Sequence, residues 1–192
     1  MLFNKIFIAL LFITLLPIMA SARERLAEES TILPYGKLMS VAYQEGKKIG
    51  CPETIQGLLL RETNGGRSRG PAKAARNDQC YGVMQIKLDT AKFVLVKIWG
   101  LSKSDLLPDD QLRRKIRDDD VFNIKIATSY FKYLLSRFSG PARWDKAVLS
   151  YNIGSYRLQD NGNAYDPNGY VKSVRTLINT DVQRFNSVHN IN

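Results

Sequence analysis

The chain has 192 residues, 24% of them charged, with 28 Lys and Arg against 18 Asp and Glu for a formal net charge of +10. That length suits a single domain able to bury a real core. His189 is the only histidine and the thiol inventory is two cysteines, so no metal site is expected. Basic residues are scattered, with short pairs at 47–48 and 113–114, and form no block of the kind a nucleic-acid arm shows.

The first residues run Met1-Leu-Phe-Asn-Lys5, then an apolar block from Ile6 to Ala20, then Ala20-Ser21-Ala22. A positive start, an apolar run and a small-x-small exit predict a secretory signal peptide cleaved after Ala22. The run contains Thr14 and Pro17 and falls short of the roughly 20 residues a spanning helix needs. Residues 23–192 then form the mature domain, periplasmic or secreted. Its net charge is +9, because Lys5 is the only charged residue lost. In an exported chain that charge suits an anionic cell envelope, with nucleic acid as the weaker alternative. The two cysteines, Cys51 and Cys80, are expected to pair in a disulfide that closes a loop of about 30 residues.

Pro34 opens a predicted helix that runs to about Ile49, with Leu38, Val41, Ala42 and Glu45 on one face. Gly50-Cys51-Pro52 breaks it, and Pro52 suits the first turn of the next helix. There Ile55, Leu58, Leu59 and Glu62 recur at i, i+3, i+4 and i+7, so the apolar stripe carries a carboxylate. Asn64-Gly65-Gly66 stops that helix directly after Glu62. Apolar neighbours and the negative end of the helix dipole both disfavour an ionised Glu62, which would keep a transferable proton on it near neutral pH. The alternative is a helix-end glutamate pointing into solvent.

Residues 64–81 read as a loop containing Arg67, Arg69, Lys73 and Arg76. After Tyr81-Gly-Val-Met-Gln-Ile86 comes a helix from Asp89 to about Trp99, then a polar connector over 100–119 containing a short helix. Asp118-Asp119-Asp120 suits a helix N-terminus. Val121 to Phe138 is strongly helical, with Ile124, Ala127, Tyr130, Phe131, Leu134, Leu135 and Phe138 inward. Gly140-Pro141 ends it. Trp144 to Tyr151 is a further buried helix, residues 155–169 are loop, and Tyr170 to about Val188 is a last amphipathic helix. No window alternates with a period of two. The predicted architecture is all-α.

Several strings in this order resemble the soluble lytic transglycosylases, a family with a lysozyme-like fold, over roughly residues 36–180. Arg61-Glu62-Thr63 is similar to the family's helix-end Glu-Ser motif. Gly82-Val83-Met84-Gln85-Ile86 resembles its Gly-Leu-Met-Gln-Ile strip. Asn123-Ile124 followed by Tyr130-Phe131 is similar to its Asn-Ile helix, Ala147 through Tyr151-Asn152-Ile-Gly154 to its Ala-Tyr-Asn-x-Gly motif, and Tyr170-Val171 to its terminal Tyr-Val. Thr63 stands where the family has serine, and Asn64 where it has an aromatic two residues after the acid; two glycines follow, and Ser68 is the candidate for its second serine.

The resemblance implies Glu62 as the catalytic acid, with Met84, Gln85, Tyr151, Asn152 and Tyr170 as substrate-binding residues and no cofactor. Asn123 reads as a buried structural residue. Met84 would pack on an acetamido group, Gln85 and Asn152 would hydrogen-bond the saccharide, and Tyr170 would hold Glu62. The implied partner is the glycan strand of peptidoglycan, cut by a monomer in wall turnover, beside envelope-spanning machinery, or in attack on another cell. Ordinary glycosidases use two carboxylates; the matched motifs hold one. The implied reaction is therefore single-carboxylate cleavage between N-acetylmuramic acid and N-acetylglucosamine with a 1,6-anhydro product. A lysozyme-type muramidase and a non-catalytic wall-binding protein are the alternatives.

Overall fold

The computed structural model describes residues 32–66, 79–154, 166 and 168–191. The predicted leader, the basic residues 67–76, Ser68 and most of the 155–169 stretch lie outside them. Among the described residues no helix is long and apolar enough to cross a membrane.

Helix α1, Tyr35–Lys47, follows Pro34 and buries Leu38, Met39 and Ala42. Its main partner is α2, Pro52–Thr63, which has Pro at its first turn and Asn64 in the left-handed conformation after its last. Ile55, Leu58 and Leu59 of α2 are fully buried, so the predicted stripe is the core-facing one. The start of α2 packs against the last turn of α1, at a residue where nothing larger than glycine fits. A Cβ on Gly46 would lie 2.6 Å from the Cα of Pro52.

Two strands too short to show alternation in sequence, β1 (Cys80–Tyr81) and β2 (Ile86–Lys87), pair antiparallel around a turn. Helix α3, Leu88–Phe93, continues into a π-helical turn over Val94–Ile98, where a uniform α-helix was expected. The expected connector holds a 3-10 turn, Lys103–Asp105, and helix α4, Asp109–Asp118. Helix α5, Asp120–Ser136, starts as its acidic run predicts, with the Asp119 carboxylate accepting from Phe122 N at 3.0 Å. Its residues Ile124, Ala127, Phe131 and Leu134 are the fully buried centre of the molecule. Helix α6, Arg143–Ile153, packs on α5 and α7. Helix α7, Tyr170–Leu177, passes through a second π-helical turn, Ile178–Val182, into α8, Gln183–Val188.

The turn between β1 and β2 is fixed from behind by one side chain. Asn123 on α5 is fully buried; its amide donates to Tyr81 O and Ile116 O, each at 3.0 Å, and its oxygen accepts from Met84 N at 2.7 Å. The structural role read for Asn123 is the observed one. Gly82 must be glycine here: it has φ +72°, and a Cβ would stand 2.3 Å from Ile116 O.

The expected disulfide is not formed: Cys51 and Cys80 are not bonded to each other. Cys51 precedes the first turn of α2, whereas Cys80 lines the cavity at Glu62, on that helix's last turn. About 16 Å of helix rise separates those ends, far beyond the separation of at most about 7 Å between Cα atoms that a disulfide spans. Burial also pushes the Cys51 thiol above its ordinary pKa, against the opposing effect of Arg143, which keeps it in the unreactive protonated form.

Asn123→Ala would remove a buried side chain's hydrogen bonds to Tyr81 O, Ile116 O and Met84 N. It is expected to cost about 3 kcal/mol or more in urea unfolding, whereas an ordinary exposed substitution costs less than about 0.5 kcal/mol.

Candidate active site

Glu62 occupies the last turn of α2, one turn beyond Leu58 and Leu59, and is partly exposed rather than pointing into bulk water. Its neighbour Thr63 is buried and fastens the helix end to the β-turn. The Thr63 hydroxyl lies 2.8 Å from Val83 O and 3.2 Å from Leu59 O, and it accepts from Gly66 N at 2.9 Å. Threonine thus supplies the hydroxyl expected after the acid. The glycine at 65 does not strip cover from the helix end. It is buried and makes room for the Tyr35 ring, whose Cδ2 would lie 2.4 Å from an added Cβ.

Tyr170, the first residue of α7, donates its hydroxyl to Glu62 Oε1. The helix that carries it is set by Asp166, whose two carboxylate oxygens accept from Tyr170 N at 2.7 Å and Val171 N at 2.8 Å. Arg61 places its guanidinium 5.3 Å from the centre of the Tyr170 ring. Desolvation raises the Glu62 pKa; the Tyr170 hydrogen bond and then the Arg61 charge oppose that rise without cancelling it. Burial first, and the Glu62 charge second, push the Tyr170 phenol far above its ordinary range, so it stays protonated and acts as a donor. Burial does the same to Tyr151.

The cavity that Glu62 faces measures about 140 Å³. Its other walls include Gln85, Tyr151 and Asn152, so three of the five expected substrate-binding residues share a cavity with the acid. Gln85 sits in the left-handed conformation at φ +49°, and its amide donates to Gly82 O at 2.8 Å. The Tyr151 hydroxyl donates to Met84 O at 2.8 Å and ties α6 to the turn. Asn152 is exposed.

One expected contact is corrected. Met84 is fully buried, so its thioether packs in the core and its backbone carbonyl accepts from Tyr151. Tyr170, 3% exposed, meets Glu62 through its hydroxyl, the placement expected for it. Sequence reasoning missed Asp166, which lies three residues before the N-cap Gly169, outside the position where an Asp signals a helix start. It also missed Cys80, Thr90 and Tyr130 as cavity walls. Nothing in their spacing marks them.

Tyr170→Phe removes a hydrogen bond that favours the Glu62 carboxylate. The Glu62 carboxyl, followed by NMR, is expected to titrate at higher pH in that variant than in the parent chain. Because the folded-state pKa is raised, Glu62 contributes its stability below the unfolded pKa and loses it as pH rises through the folded one. Glu62→Gln does not titrate, so its stability relative to the parent should increase as pH rises from the ordinary carboxyl range through the raised folded-state pKa. A pH-independent difference in urea midpoints would contradict the desolvated carboxyl.

A family model described as the transglycosylase SLT domain matches residues 66–172, more than half of the chain. The match takes in Gln85, Tyr151, Asn152 and Tyr170 and begins four residues after Glu62. No curated protein and no solved structure matches the chain. The extent of the family match, over a helical framework of this form, places the chain in the transglycosylase SLT domain family, the lysozyme-like lytic transglycosylases of peptidoglycan.

Proposed function

We propose that the protein cuts the β-1,4 bond between N-acetylmuramic acid and N-acetylglucosamine in peptidoglycan, with Glu62 as the sole catalytic carboxyl and a 1,6-anhydromuramic end as product. The observation that carries this reading is the protonation bias of Glu62: a desolvated carboxyl, fixed by Tyr170, facing a cavity lined by Gln85, Tyr151 and Asn152. Family membership supplies the substrate class.

Glu62 begins protonated and gives its proton to the glycosidic oxygen as the carbon–oxygen bond breaks, releasing the N-acetylglucosamine side as an alcohol. The muramic acetamido oxygen bonds to the anomeric carbon and stabilises the positive charge left there. Glu62, now a carboxylate, accepts the proton of the muramic 6-hydroxyl while that oxygen bonds to the anomeric carbon and displaces the acetamide. Water is neither consumed nor released. Among the described residues that line the cavity, Glu62 is the only carboxylate. This arrangement suits a substrate-supplied nucleophile better than the paired carboxylates of ordinary glycosidases. Tyr170 serves both halves: its hydroxyl hydrogen-bonds one oxygen of the acid and favours the carboxylate formed after the first transfer. Gln85 and Asn152 offer hydrogen bonds to the sugar at the cavity wall. The leader predicted over residues 1–22 would deliver the enzyme to the periplasm or the medium, where this polymer lies.

Purified sacculi digested with the protein should release muropeptides one water lighter than hydrolytic ones, read by mass spectrometry. Glu62→Gln should lower the rate by roughly 10²–10⁴-fold while the chain remains folded. Reducing muramic ends from the parent protein would convert the assignment to a muramidase, and cleavage by Glu62→Gln at the parent rate would remove Glu62 from the reaction.

A further inference from the structure

The larger of the two cavities described here is not at Glu62. A groove of about 700 Å³ opens at the other end of α2, where Glu53 and Thr54 stand on its first turn. About 12 Å of helix rise separates Thr54 from Glu62, so the two cavities share a helix and no lining residue. The volume lies within the range of small-ligand sites, roughly 300–1,000 Å³.

Its walls are built rather than accidental. The Trp144 indole donates to the Thr54 hydroxyl at 2.9 Å, and the Arg175 guanidinium, paired with Asp145, lies 5.0 Å from the centre of the Trp144 ring. Thr54 is 7% exposed and accepts from Trp144, but its own hydroxyl proton goes to no acceptor among the described residues. At the groove floor, Asn186 exchanges two hydrogen bonds with the fully buried Gln56, at 2.9 and 3.0 Å. On the opposite rim, the side-chain amides of Asn179 and Gln183 are exposed and make no hydrogen bond to any described residue.

The rim itself takes an uncommon conformation. Asn179 lies within the π-helical turn Ile178–Val182, and such turns concentrate at functional sites because they re-aim side chains at a cost in backbone geometry. This turn lies close to α2 because residue 57 is glycine. A Cβ there would meet Ile178 Cγ1 at 2.7 Å.

Charge selects the occupant. In a chain of net charge +10, the groove is lined by one acid, Glu53, and one base, Arg175, with no lysine. A polyanion would find no field to hold it. Free amides, a hydroxyl donor and a fixed Trp–Arg platform are instead the groups that recognise a neutral polyhydroxylated ligand bearing acetamido groups. The geometry points to a second saccharide-binding site at this groove, taking a short run of N-acetylated sugars without cleaving it. It would hold the protein on a neighbouring segment of glycan while the Glu62 cavity works elsewhere. This goes beyond the cleavage reading, and the groove's chemistry stands whether or not Glu62 is a catalyst.

The chain has two tryptophans, so Trp99→Phe leaves Trp144 as the sole indole reporter. In that background, with Glu62→Gln to prevent turnover, titration with the N-acetylglucosamine tetramer should shift Trp144 emission saturably by millimolar ligand. Adding Asn179→Ala and Gln183→Ala, two exposed substitutions, should weaken that binding by roughly tenfold. With Glu62 intact, the same pair should leave kcat on short soluble glycans unchanged. A DNA oligonucleotide should produce no shift. An unmoved Trp144 spectrum, a shift indifferent to the two rim substitutions, or a response to DNA alone would each overturn the proposal. Absent cleavage by the parent protein, with the Trp144 response preserved, would instead count against the catalytic reading and leave the groove assignment standing.

Discussion

A carboxyl group held partly out of water by a protein that must still fold around it is the constraint on which the rest of this structure turns. Each pKa unit by which burial raises Glu62 costs about 1.4 kcal/mol of stability at pH values where the group would otherwise ionise. The same helix supplies the offset. Ile55, Leu58 and Leu59 are fully buried, and each such side chain contributes about 1.5–3 kcal/mol. Together they offset that cost, so α2 can carry an unfavourable acid in its final turn.

Holding the acid still requires partners from three other elements, and these partners are themselves fixed by buried polar contacts. Asp166 caps α7 and so sets where the Tyr170 hydroxyl arrives. Thr63 ties the end of α2 to Val83, Tyr151 ties α6 to Met84, and Asn123 pins the same turn from α5. Three helices therefore meet at one four-residue turn, Gly82 to Gln85, which also carries the left-handed Gln85. A non-glycine residue in that conformation costs energy and persists only where the surroundings dictate it. Here the dictating contacts are the Gly82 carbonyl, reached by both the backbone and side-chain nitrogens of Gln85, and the Asn123 bracket behind.

The helices were legible in the sequence because they are amphipathic and punctuated. Leu38, Ile55, Leu58 and Phe131 recur at helical spacing, and Pro52, Asp119 and Asn64 mark ends in the structure much as they do in the sequence. The acid was legible because it interrupts an apolar stripe. Other features left no such trace. The paired strands span two residues each, below the length at which alternation shows. The π turns keep helical side-chain spacing apart from one added residue, so periodicity reads through them. Met84 was misplaced because adjacency in a motif says nothing about direction. In the tight turn its neighbour Gln85 faces the cavity while Met84 faces the core. The cysteine pairing failed for a related reason. The redox argument concerns a compartment, whereas a bond concerns distance, and Cys51 precedes the first turn of α2 while Cys80, on β1, lines the cavity at the helix's far end.

That rigidity of α2 also accounts for the way the molecule distributes its polar surface. A helix of 12 residues is a rod about 18 Å long, and its core face leaves little room for functional groups along the middle. Polar chemistry is pushed to the ends, where backbone groups are unsatisfied and side chains can turn outward. The C-terminal end carries the acid, beside carbonyls that disfavour a negative charge and so favour the proton-bearing form. The N-terminal end carries Glu53 and Thr54 instead, beside amide hydrogens that lack helical partners. Two glutamates thus stand at opposite ends of one helix, and burial raises the pKa of Glu62. The one suited to surrender a proton is the one that faces the cavity closed by Tyr151 and Asn152.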